Sequence, residues 1–530
     1  MEVPMLVSDF LRRAVRLYPQ RDAVVSGDLR FTYAELGARV SRLANALRDL
    51  GVQKGDRVAL LSPNAHQFLE CFYGVTAIGA VLVPLNYRLV SDDFTYIINH
   101  AEASVFVVDA ELTPVATAIL PELTNIRHTV MWSNDGSPIA AGWLDYENLL
   151  ARSSPEAPPD SGLAESDLAT LNYTSGTTAR PKGVMMTHRN LYANALNFIL
   201  HLGVSRQDTI LHTLPMFHAN GWGSPFAVTA MGGRHVVLRK IDGKAIFDLI
   251  AAEGVTIACM APAVLATILN YPDKTQHDIT TKPRLIIAGA PPPAAFIKQL
   301  QDDLGWGFIQ VYGLTETSPF LTVSELKPHQ ESLPEEQRIR IQDRAGMEMV
   351  GVDLRVVDDN GADVPADDAT VGEVVARGNV ILEGYWRQPE ETARVLVDGW
   401  FHTGDLATWD AERTINIVAR KKDVIITGGE NVSSIEVEDV LYQHPAVLEA
   451  AVIGVPSERW GETIKALVVL RAGQQPTEQE IIAHCRGSMA HFKCPTSVDF
   501  VETLPRTATG KLQKFVLRER YWAGLEKRVN

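Results

Sequence analysis

Residues 173–183 constrain this chain most, because their composition suits one kind of structure. They read Tyr-Thr-Ser-Gly-Thr-Thr-Ala-Arg-Pro-Lys-Gly. Small hydroxyl residues and glycine let backbone N–H groups approach an anion, and Thr and Ser side chains donate further hydrogen bonds. Lys182 adds a mobile positive charge suited to a triphosphate. The run therefore predicts a phosphate-binding loop made of Thr174, Ser175, Gly176, Thr177, Thr178 and Lys182.

Other phosphate and catalytic motifs do not fit the chain. It contains no Gly-Lys-Ser or Gly-Lys-Thr, so the loop is not a Walker A motif. No Gly-x-Ser-x-Gly elbow supports a serine hydrolase. His484, Cys485, His491 and Cys494 have metal-ligating side chains, but their spacing does not match a tetrahedral zinc site.

The pattern of apolar runs predicts an α/β fold. With 530 residues, the chain is too long for one ordinary core and predicts at least two domains. Residues 9–17 and 32–50 have helical patterns, the second opened by a capping box of Thr32 and Glu35. Buried strands are predicted at 57–61, 80–84, 105–108 and 284–288, alternating with helices as in parallel sheets. Residues 153–161, rich in proline and acidic side chains, predict an exposed loop.

Two changes of pattern divide the rest of the chain. Short β-rich runs at 353–357 and 372–376 predict a compact β subdomain at about 340–419. After residue 420, strands are predicted at 450–453, 466–470 and 497–501, with helices at 434–441 and 477–489. We therefore expect a large N-terminal domain (1–419), a joint at 420–423 and a small, mobile α+β domain (424–530).

Charge and cysteine content limit the partners and the compartment. The net charge is −15; residues 1–420 carry 35 Lys/Arg and 50 Asp/Glu, whereas 421–530 carry 14 of each. Such an acidic large domain is not expected to bind nucleic acid. Four scattered cysteines, no signal-peptide pattern and no apolar run long enough for a bilayer predict a cytoplasmic protein without stable membrane insertion. The oligomeric state stays open, with a homodimer as one option.

Four further segments follow the loop in a recognisable order. They are 312–316 (Tyr-Gly-Leu-Thr-Glu), 399–405 (Gly-Trp-Phe-His-Thr-Gly-Asp), 419–423 (Ala-Arg-Lys-Lys-Asp) and 505–511 (Pro-Arg-Thr-Ala-Thr-Gly-Lys). Together with the loop they resemble the adenylate-forming superfamily, which includes acyl-CoA synthetases, peptide-synthetase adenylation domains and beetle luciferases. The chain departs from the family pattern at Ala179, where the family usually has glycine; a slightly altered loop that still works is the simplest interpretation.

The resemblance implies a binding site for ATP and Mg²⁺. Glu316 would hold Mg²⁺ on the phosphates, with help from Thr174, and Thr315 would contact the α-phosphate. Asp405 would accept hydrogen bonds from the ribose hydroxyls, and Arg420 would add a contact near the ribose or phosphate. Adenine would lie between the ring of Tyr312 and a wall made of Gly289, Ala290 and Pro291.

The resemblance also assigns the catalytic lysine. Lys511 would bridge the attacking carboxylate and the α-phosphate, stabilising the charge of the transition state. The alternative without a catalytic role is that residues 506–511 form a solvated basic tail. The second half-reaction, with the thiol of coenzyme A, implies rotation of the small domain about Lys422. Gly428, Gly429 and Glu430 would then face the active site and leave room for a pantetheine arm, although the same residues would also form a simple β-turn.

The acid-binding pocket is predicted from residues 215–222, which resemble a segment of synthetases for fatty or aryl acids. His218 and Trp222 would form walls, with Gly313, and His218 would move to admit the thiol. Val311, Met260 and Pro262 are further candidates. No Asp lies at 217–222 to pair with an amino group, which argues against an amino-acid substrate.

The sequence thus predicts an AMP-forming ligase that joins a carboxylic acid to coenzyme A. One alternative is an enzyme that loads a carrier protein, and a luciferase-like oxygenase is more remote. A silent adenylate-binding sensor is disfavoured because Lys511, Glu316 and Asp405 are all present. The sequence does not identify the acid.

Overall fold

A computed structural model describes residues 3–134, 136–174, 180–289, 294–427, 430–457, 460–506 and 512–522. In these residues the chain forms four β-sheets with helices packed against and between them. Strands and helices are numbered below in chain order.

The first 201 residues alternate strands and helices, as predicted. The strands are β1 (Asp22–Ser26), β2 (Leu29–Thr32), β3 (Arg57–Leu61), β4 (Val81–Leu85), β5 (Ala103–Asp109), β6 (His128–Trp132), β7 (Leu144–Asp145), β8 (Leu168–Thr174) and β9 (Lys182–Thr187). The helices are α1 (Ser8–Leu17), α2 (Tyr33–Asp49), α3 (His66–Ala77), α4 (Ser91–His100), α5 (Thr113–Ile119), α6 (Tyr146–Arg152) and α7 (His188–His201).

The alternation continues through the middle of the chain and then gives way to short strands. The next strands are β10 (Thr209–His212), β11 (Arg234–Val237), β12 (Ile257–Met260), β13 (Arg284–Ile287), β14 (Gly307–Gly313), β15 (Phe320–Val323), β16 (Met347–Glu348), β17 (Val352–Val357), β18 (Gly372–Gly378), β19 (Gly384–Tyr385), β20 (Leu396–Val397), β21 (Trp400–Trp409) and β22 (Ile415–Arg420). The helices are α8 (Ser224–Met231), α9 (Gly243–Glu253), α10 (Pro262–Asn270), α11 (Ala294–Leu304), α12 (Glu335–Gln342) and α13 (Pro389–Val395).

The last part of the chain is the predicted α+β module. Its strands are β23 (Ile425–Thr427), β24 (Glu430–Val432), β25 (Val447–Ser457), β26 (Gly461–Leu470) and β27 (Ser497–Phe500). Its helices are α14 (Ser434–Tyr442), α15 (Glu478–Ser488) and α16 (Lys514–Trp522).

Local sequence explains why these elements form where they do. Thr32 caps α2: its hydroxyl accepts from the Glu35 N–H, and the Glu35 carboxylate accepts from the Thr32 N–H, which is the predicted capping box. Strands β4 and β5 are buried along their whole length because both faces of their sheet are covered. Residues 153–161 form no helix or strand, as expected.

Two large sheets make up most of the molecule. Within the described residues, the first has the order β16-β15-β14-β13-β12-β10-β11-β1-β2 and the second the order β19-β9-β8-β4-β3-β5-β6-β7. Neighbours from β10 to β14 are parallel, as are those from β3 to β7 and the pair β4–β8. A third sheet, β17-β18-β21-β20 with β22 beside β21, is antiparallel and forms the predicted β subdomain.

Helices cover both faces of the large sheets. One core lies between the sheets and includes Phe72 and Phe226, whose ring centroids are 5.4 Å apart. A second core packs α9, α10 and α11 on the outer face of the first sheet, and a third packs α4 and α5 on the outer face of the second. The C-terminal module has separate cores on the two faces of its own sheet. These layers confirm the predicted α/β class with a β subdomain and a separate C-terminal domain.

This topology fixes where a ligand can bind. In open α/β sheets, ligands bind beyond the carboxyl ends of the parallel strands. Strands β4 and β8 of one sheet and β10, β12, β13 and β14 of the other end toward the same space. Among the helices that the structure describes, none is long and apolar enough to cross a membrane.

Candidate active site

A cavity of about 1980 Å³ occupies the space beyond these strand ends. The β subdomain and the C-terminal module form its other walls. Twelve residues predicted from the sequence line it: Thr174, Lys182, His218, Pro262, Gly289, Val311, Tyr312, Gly313, Thr315, Glu316, Asp405 and Arg420. Segments separated by up to 246 positions in the chain therefore meet in one place, as the sequence motifs required.

A buried carboxylate lies in the wall formed by the β subdomain. Asp405 on β21 is 3% exposed and pairs in register with Arg420 on β22. Arg420 Nε lies 3.0 Å from Asp405 Oδ1, and the Tyr312 hydroxyl donates to Asp405 Oδ2 at 2.8 Å. The carboxylate raises the pKa of Arg420, and burial raises the pKa of Tyr312. Both partners therefore hold the Asp405 carboxylate in a fixed orientation.

Glu316 is held from two sides by the segment around β19. The Tyr385 hydroxyl donates to Glu316 Oε1 at 2.9 Å, and the Leu382 N–H donates to the Glu316 carbonyl at 2.9 Å. Tyr385 is 6% exposed, and burial raises the pKa of its phenol. The Glu316 carboxylate is thus aimed into the cavity by a neighbour that keeps its own proton.

Lys182 differs from the expectation of a free, mobile charge. Its ammonium forms an ion pair with Glu391 at the start of α13 and lies 5.0 Å from the centre of the Tyr385 ring. Glu391 also pairs with Arg394. The hydrogen bond from Lys182 holds the pKa of Glu391 below its usual value. Lys182 is therefore held at the cavity wall by a carboxylate that lies behind it.

The predicted pocket segment forms a left-handed turn. Residues 219–223 all have positive φ, including the non-glycine residues Ala219 (43°), Asn220 (55°) and Trp222 (58°). Such backbone costs an L-residue about 1–2 kcal/mol, so the surroundings must enforce it. Asn220 does so from the inside: its amide donates to Thr170 Oγ1 at 2.9 Å and accepts from Asn172 Nδ2 at 3.2 Å.

The turn places His218 in the cavity wall but turns Trp222 away from it. Trp222 is 4% exposed and packs edge-on against the ring of Phe320, with centroids 6.0 Å apart. The prediction that Trp222 forms a pocket wall is therefore wrong, because the reversed backbone hand directs its side chain into the core. Met260 is likewise buried in the core behind the first sheet, since alternation along β12 points it to the outer face.

Small and apolar side chains form another part of the cavity wall. They include Ala261, Pro262, Ala263, Ala266 and Val311. Gly313 belongs to this side, but its lack of a side chain has a local cause: a Cβ there would lie 1.8 Å from the Pro319 carbonyl oxygen. The glycine is thus required by packing against the 317–320 turn.

Several predicted residues lie outside the described part of the chain. They are Ser175, Gly176, Thr177, Thr178, Ala179, Ala290, Pro291, Gly428, Gly429 and Lys511. The side chains of Lys422 and Glu430 are also outside it. Their neighbours are informative: Arg506 and Leu512, on either side of 507–511, line the cavity, whereas Thr427, next to Gly428, does not.

The structure adds residues that sequence reasoning missed. Tyr385, Glu391 and Asn220 hold the predicted residues in place. Gln310 lines the cavity, is 4% exposed and has a side-chain oxygen, Oε1, that no described residue bonds. Gln310 stands two residues before Tyr312, and Asn220 lies within the predicted segment 215–222, so both were within reach of the sequence argument. Tyr385 and Glu391 were not, because nothing local links residue 391 to residue 182.

Comparison with known proteins decides the family. Residues 11–386 match the family model described as AMP-binding enzyme, and residues 436–511 match that of the AMP-binding enzyme C-terminal domain. The chain belongs to the AMP-binding enzyme family. This confirms the predicted adenylate-forming superfamily and its acyl-CoA synthetase branch.

Individual relatives match the AMP-binding enzyme over nearly its whole length. A 2-methylpropanoate–CoA ligase of Humulus lupulus is 38% identical over 530 residues, covering 97% of this chain and 95% of the relative. A 4-hydroxybutyrate–CoA ligase of Metallosphaera sedula is 39% identical over 516 residues, covering 96% and 93%. The solved structure of an anthranilate CoA ligase with anthranoyl-AMP superposes with a TM-score of 0.88 at 28% identity, covering 98% of each chain.

Membership confirms the predicted enzyme class, an AMP-forming carboxylate–CoA ligase. It implies ATP, coenzyme A and a small-molecule acid as substrates. Both charged and small apolar side chains line the one cavity.

Proposed function

We propose that this enzyme activates a short- to medium-chain monocarboxylic acid with an uncharged acyl chain as its acyl-adenylate and then transfers the acyl group to coenzyme A. The observation that carries the proposal is the cavity itself. Its lining includes the charged side chains of Lys182, Glu316 and Asp405 as well as a group of small, apolar side chains. A nucleotide and an apolar acid fit these walls with the acid's carboxylate between them.

The nucleotide would bind along the β subdomain. Asp405, held by Tyr312 and Arg420, offers carboxylate oxygens to the ribose hydroxyls. The unpartnered amide oxygen of Gln310 is an acceptor for a base amino group. Gly289, which lines the cavity with φ of 95°, would face the other side of the base together with Ala290 and Pro291.

Glu316 and Thr174 fit a magnesium ion carried by the nucleotide. Both line the cavity, and both offer the oxygen donors that Mg²⁺ prefers. No cluster of three or more His, Cys, Asp or Glu side chains among the described residues could hold a metal ion by itself. The chain therefore suits an ion held mainly by phosphates and water, which would neutralise phosphate charge during the reaction. Thr315 lies beside Glu316 in the cavity lining and would contact the α-phosphate.

The apolar wall argues for the class of acid. In the described part of that wall, Ala261, Pro262, Ala263, Ala266 and Val311 offer no Lys or Arg side chain that would pair with a second carboxylate. No Asp is present at 217–222 for an amino group. Two similar proteins are named for acids with small aliphatic chains, 2-methylpropanoate and 4-hydroxybutyrate. An uncharged acyl chain of this kind, in contact with His218, is the best match.

Lys511 would perform adenylation, and a domain rotation would follow. Arg506 and Leu512, the described residues on either side of 507–511, both line the cavity. We place the joint at 420–423, with Lys422 as the hinge, between domains 1–419 and 424–530. Asp423 pairs with Arg518 of α16 at 3.1 Å, so the joint is tied to the small domain rather than freely exposed. Rotation would bring Gly428, Gly429 and Glu430 to the cavity for the thiol.

A panel of acids tests the proposed reaction. Purified enzyme is incubated with ATP, Mg²⁺, coenzyme A and acids of two to ten carbons, with a dicarboxylic and an amino acid as controls. We expect AMP and acyl-CoA only from the monocarboxylic acids whose acyl chains carry no charge. Release of AMP that needs a carrier protein, or a light- or oxygen-dependent product, would contradict the assignment of coenzyme A as acceptor.

Lys511→Ala tests the division into two half-reactions. Because this lysine would stabilise charge only during adenylation, we expect acid-dependent pyrophosphate release to fall by about 10²-fold or more. Transfer from supplied acyl-adenylate to coenzyme A should stay within about threefold of the wild-type rate. An equal loss in both assays would contradict the two-state scheme.

A further inference from the structure

Lys182 forms an ion pair with a carboxylate that lies outside the proposed nucleotide site. Its ammonium lines the cavity, where the proposed function places phosphates, yet it forms an ion pair with Glu391 of α13. Glu391 itself is not among the residues that line the cavity. Lys182 therefore stands between a carboxylate behind it and an anion site in front of it.

The surroundings allow the lysine to change partner at low cost. One oxygen of Glu391 binds Lys182 and the other binds Arg394, so the carboxylate keeps a cation when Lys182 leaves. The Tyr385 ring, 5.0 Å from the Lys182 ammonium, stays in contact with the lysine side chain and keeps it close to the wall. Both members of the pair are partly buried, which limits screening by water.

The backbone around the pair is fixed, so only side chains have to move. Lys182 begins β9, which pairs with β8 and with β19. Trp386 N–H donates to the Gly183 carbonyl at 2.7 Å, and Thr392 Oγ1 accepts from the Tyr385 N–H at 2.9 Å. These bonds hold the start of α13 against the end of the phosphate loop.

We propose that Glu391 is a specificity-determining placeholder: it occupies Lys182 in the empty enzyme and gives the lysine up to the triphosphate. The inference rests on the proposed function, because the competing ligand is the nucleotide. Because the Glu391 carboxylate must first be displaced from Lys182, it lowers the affinity of any anion that binds to this lysine. A triphosphate, which adds contacts elsewhere in the cavity, overcomes that competition, whereas a single phosphate or pyrophosphate does so less well.

Glu391→Gln tests the competition directly. The amide keeps the shape of the side chain but removes the charge that holds Lys182. We expect a non-hydrolysable ATP analogue to bind about two- to fivefold more tightly by calorimetry, the range for one partly exposed ion pair. Pyrophosphate makes fewer contacts elsewhere and should gain more than the analogue, so discrimination in favour of the triphosphate should fall.

Two further variants make the result interpretable. Glu390→Gln removes the same charge from the neighbouring, exposed residue of α13 and should leave both affinities unchanged. In a Lys182→Met background, Glu391→Gln should have no effect on affinity, because the shared partner is gone. Unchanged or weaker analogue binding in Glu391→Gln, or the same gain in the Lys182→Met background, would overturn the placeholder role. Failure of the wild-type enzyme to bind the analogue at all would instead contradict the proposed function.

Discussion

At the scale of single residues, the partners of the buried Asp405 carboxylate are in place before a ligand binds. Asp405 has one oxygen on Arg420 and the other on the Tyr312 hydroxyl. A carboxylate buried to this degree needs such partners, since an unpaired buried charge is strongly destabilising. The cost of burial is offset inside the β subdomain before any nucleotide arrives, and the carboxylate is already oriented.

Tyr312→Phe should reveal how much this orientation matters. The variant keeps the ring but removes the hydroxyl that donates to Asp405 Oδ2. Because a hydrogen bond to a charged group contributes about 1.5–3 kcal/mol, we expect the KM for ATP to rise about tenfold or more. The KM for the acid should stay unchanged, since Asp405 lies on the nucleotide side. Steady-state kinetics with each substrate varied in turn measures both; a higher KM for the acid alone would contradict the role.

At the scale of elements, the turn at 219–223 is the least regular and most constrained part of the site. Gly223 has φ of 79°, and a Cβ there would lie 2.2 Å from Asn194 Nδ2. Asn194 cannot retreat easily, because its amide donates to the Trp222 carbonyl and accepts from the Phe320 N–H. The turn is thus fixed by α7 on one side and by β8, through Asn220, on the other.

Gly223→Ala should therefore be much more harmful than a strained glycine substitution elsewhere. We expect a loss of about 2–4 kcal/mol in the free energy of unfolding, combining backbone strain with the clash at Asn194. Gly51→Ala is the matched control: Gly51 has φ of 81°, but nothing lies within 4 Å of its added Cβ. The control should lose only about 1–2 kcal/mol. Chemical denaturation of both variants gives the comparison, and equal losses would show that Asn194 adapts.

The elements show what sequence reasoning can and cannot provide. Strands such as β3 and β13 were predicted almost to the residue, because buried apolar runs have one stable environment in an α/β layer. The capping box at Thr32 was also confirmed, because it depends on neighbours in sequence. Trp222 was misplaced, because a left-handed backbone is enforced by Thr170 and Asn172, about 50 positions earlier. The ion pair of Lys182 could not be predicted either, because its partner Glu391 is 209 positions away in the sequence.

At the scale of the whole molecule, acidic groups meet where the C-terminal module approaches the large domain. Asp343, after α12, and Asp439, on α14, both line the cavity. Burial raises the pKa of each to about 7, and the charge of Asp343 further raises that of Asp439. Glu438 and Glu436 act on Asp439 in the same direction, and Lys514 opposes them. This arrangement of the domains therefore binds protons that separated domains would release.

The domain arrangement should consequently depend on pH. Both carboxyls have an ordinary pKa of 3.8, raised here to about 7. A raised pKa stabilises the domain arrangement seen in this structure. This contribution is complete below the ordinary pKa of 3.8 and is lost as the pH rises from about 4 to 7. We expect small-angle scattering to show a growing radius of gyration over this window and no further change above about pH 8.

Asp343→Asn should reduce this dependence, because it removes one carboxyl and its effect on Asp439. Asp353→Asn, an equivalent change at an exposed residue paired with Arg377, is the control and should leave the profile unchanged. An identical profile in wild type and Asp343→Asn would rule out this pair as the source of the pH effect.

The separation of the cavity walls has a consequence for how this enzyme can be re-engineered. The apolar wall comes from Ala261, the first turns of α10 and β14, whereas Asp405, Arg420 and Tyr385 belong to the β subdomain and β19. Under the proposed function, a library that varies Ala261, Ala263 and Ala266 should change acid preference, because these residues take no part in the hydrogen bonds of Asp405 and Glu316. During evolution, substitutions at these three alanines would change the preferred acid without changing the residues proposed to bind ATP.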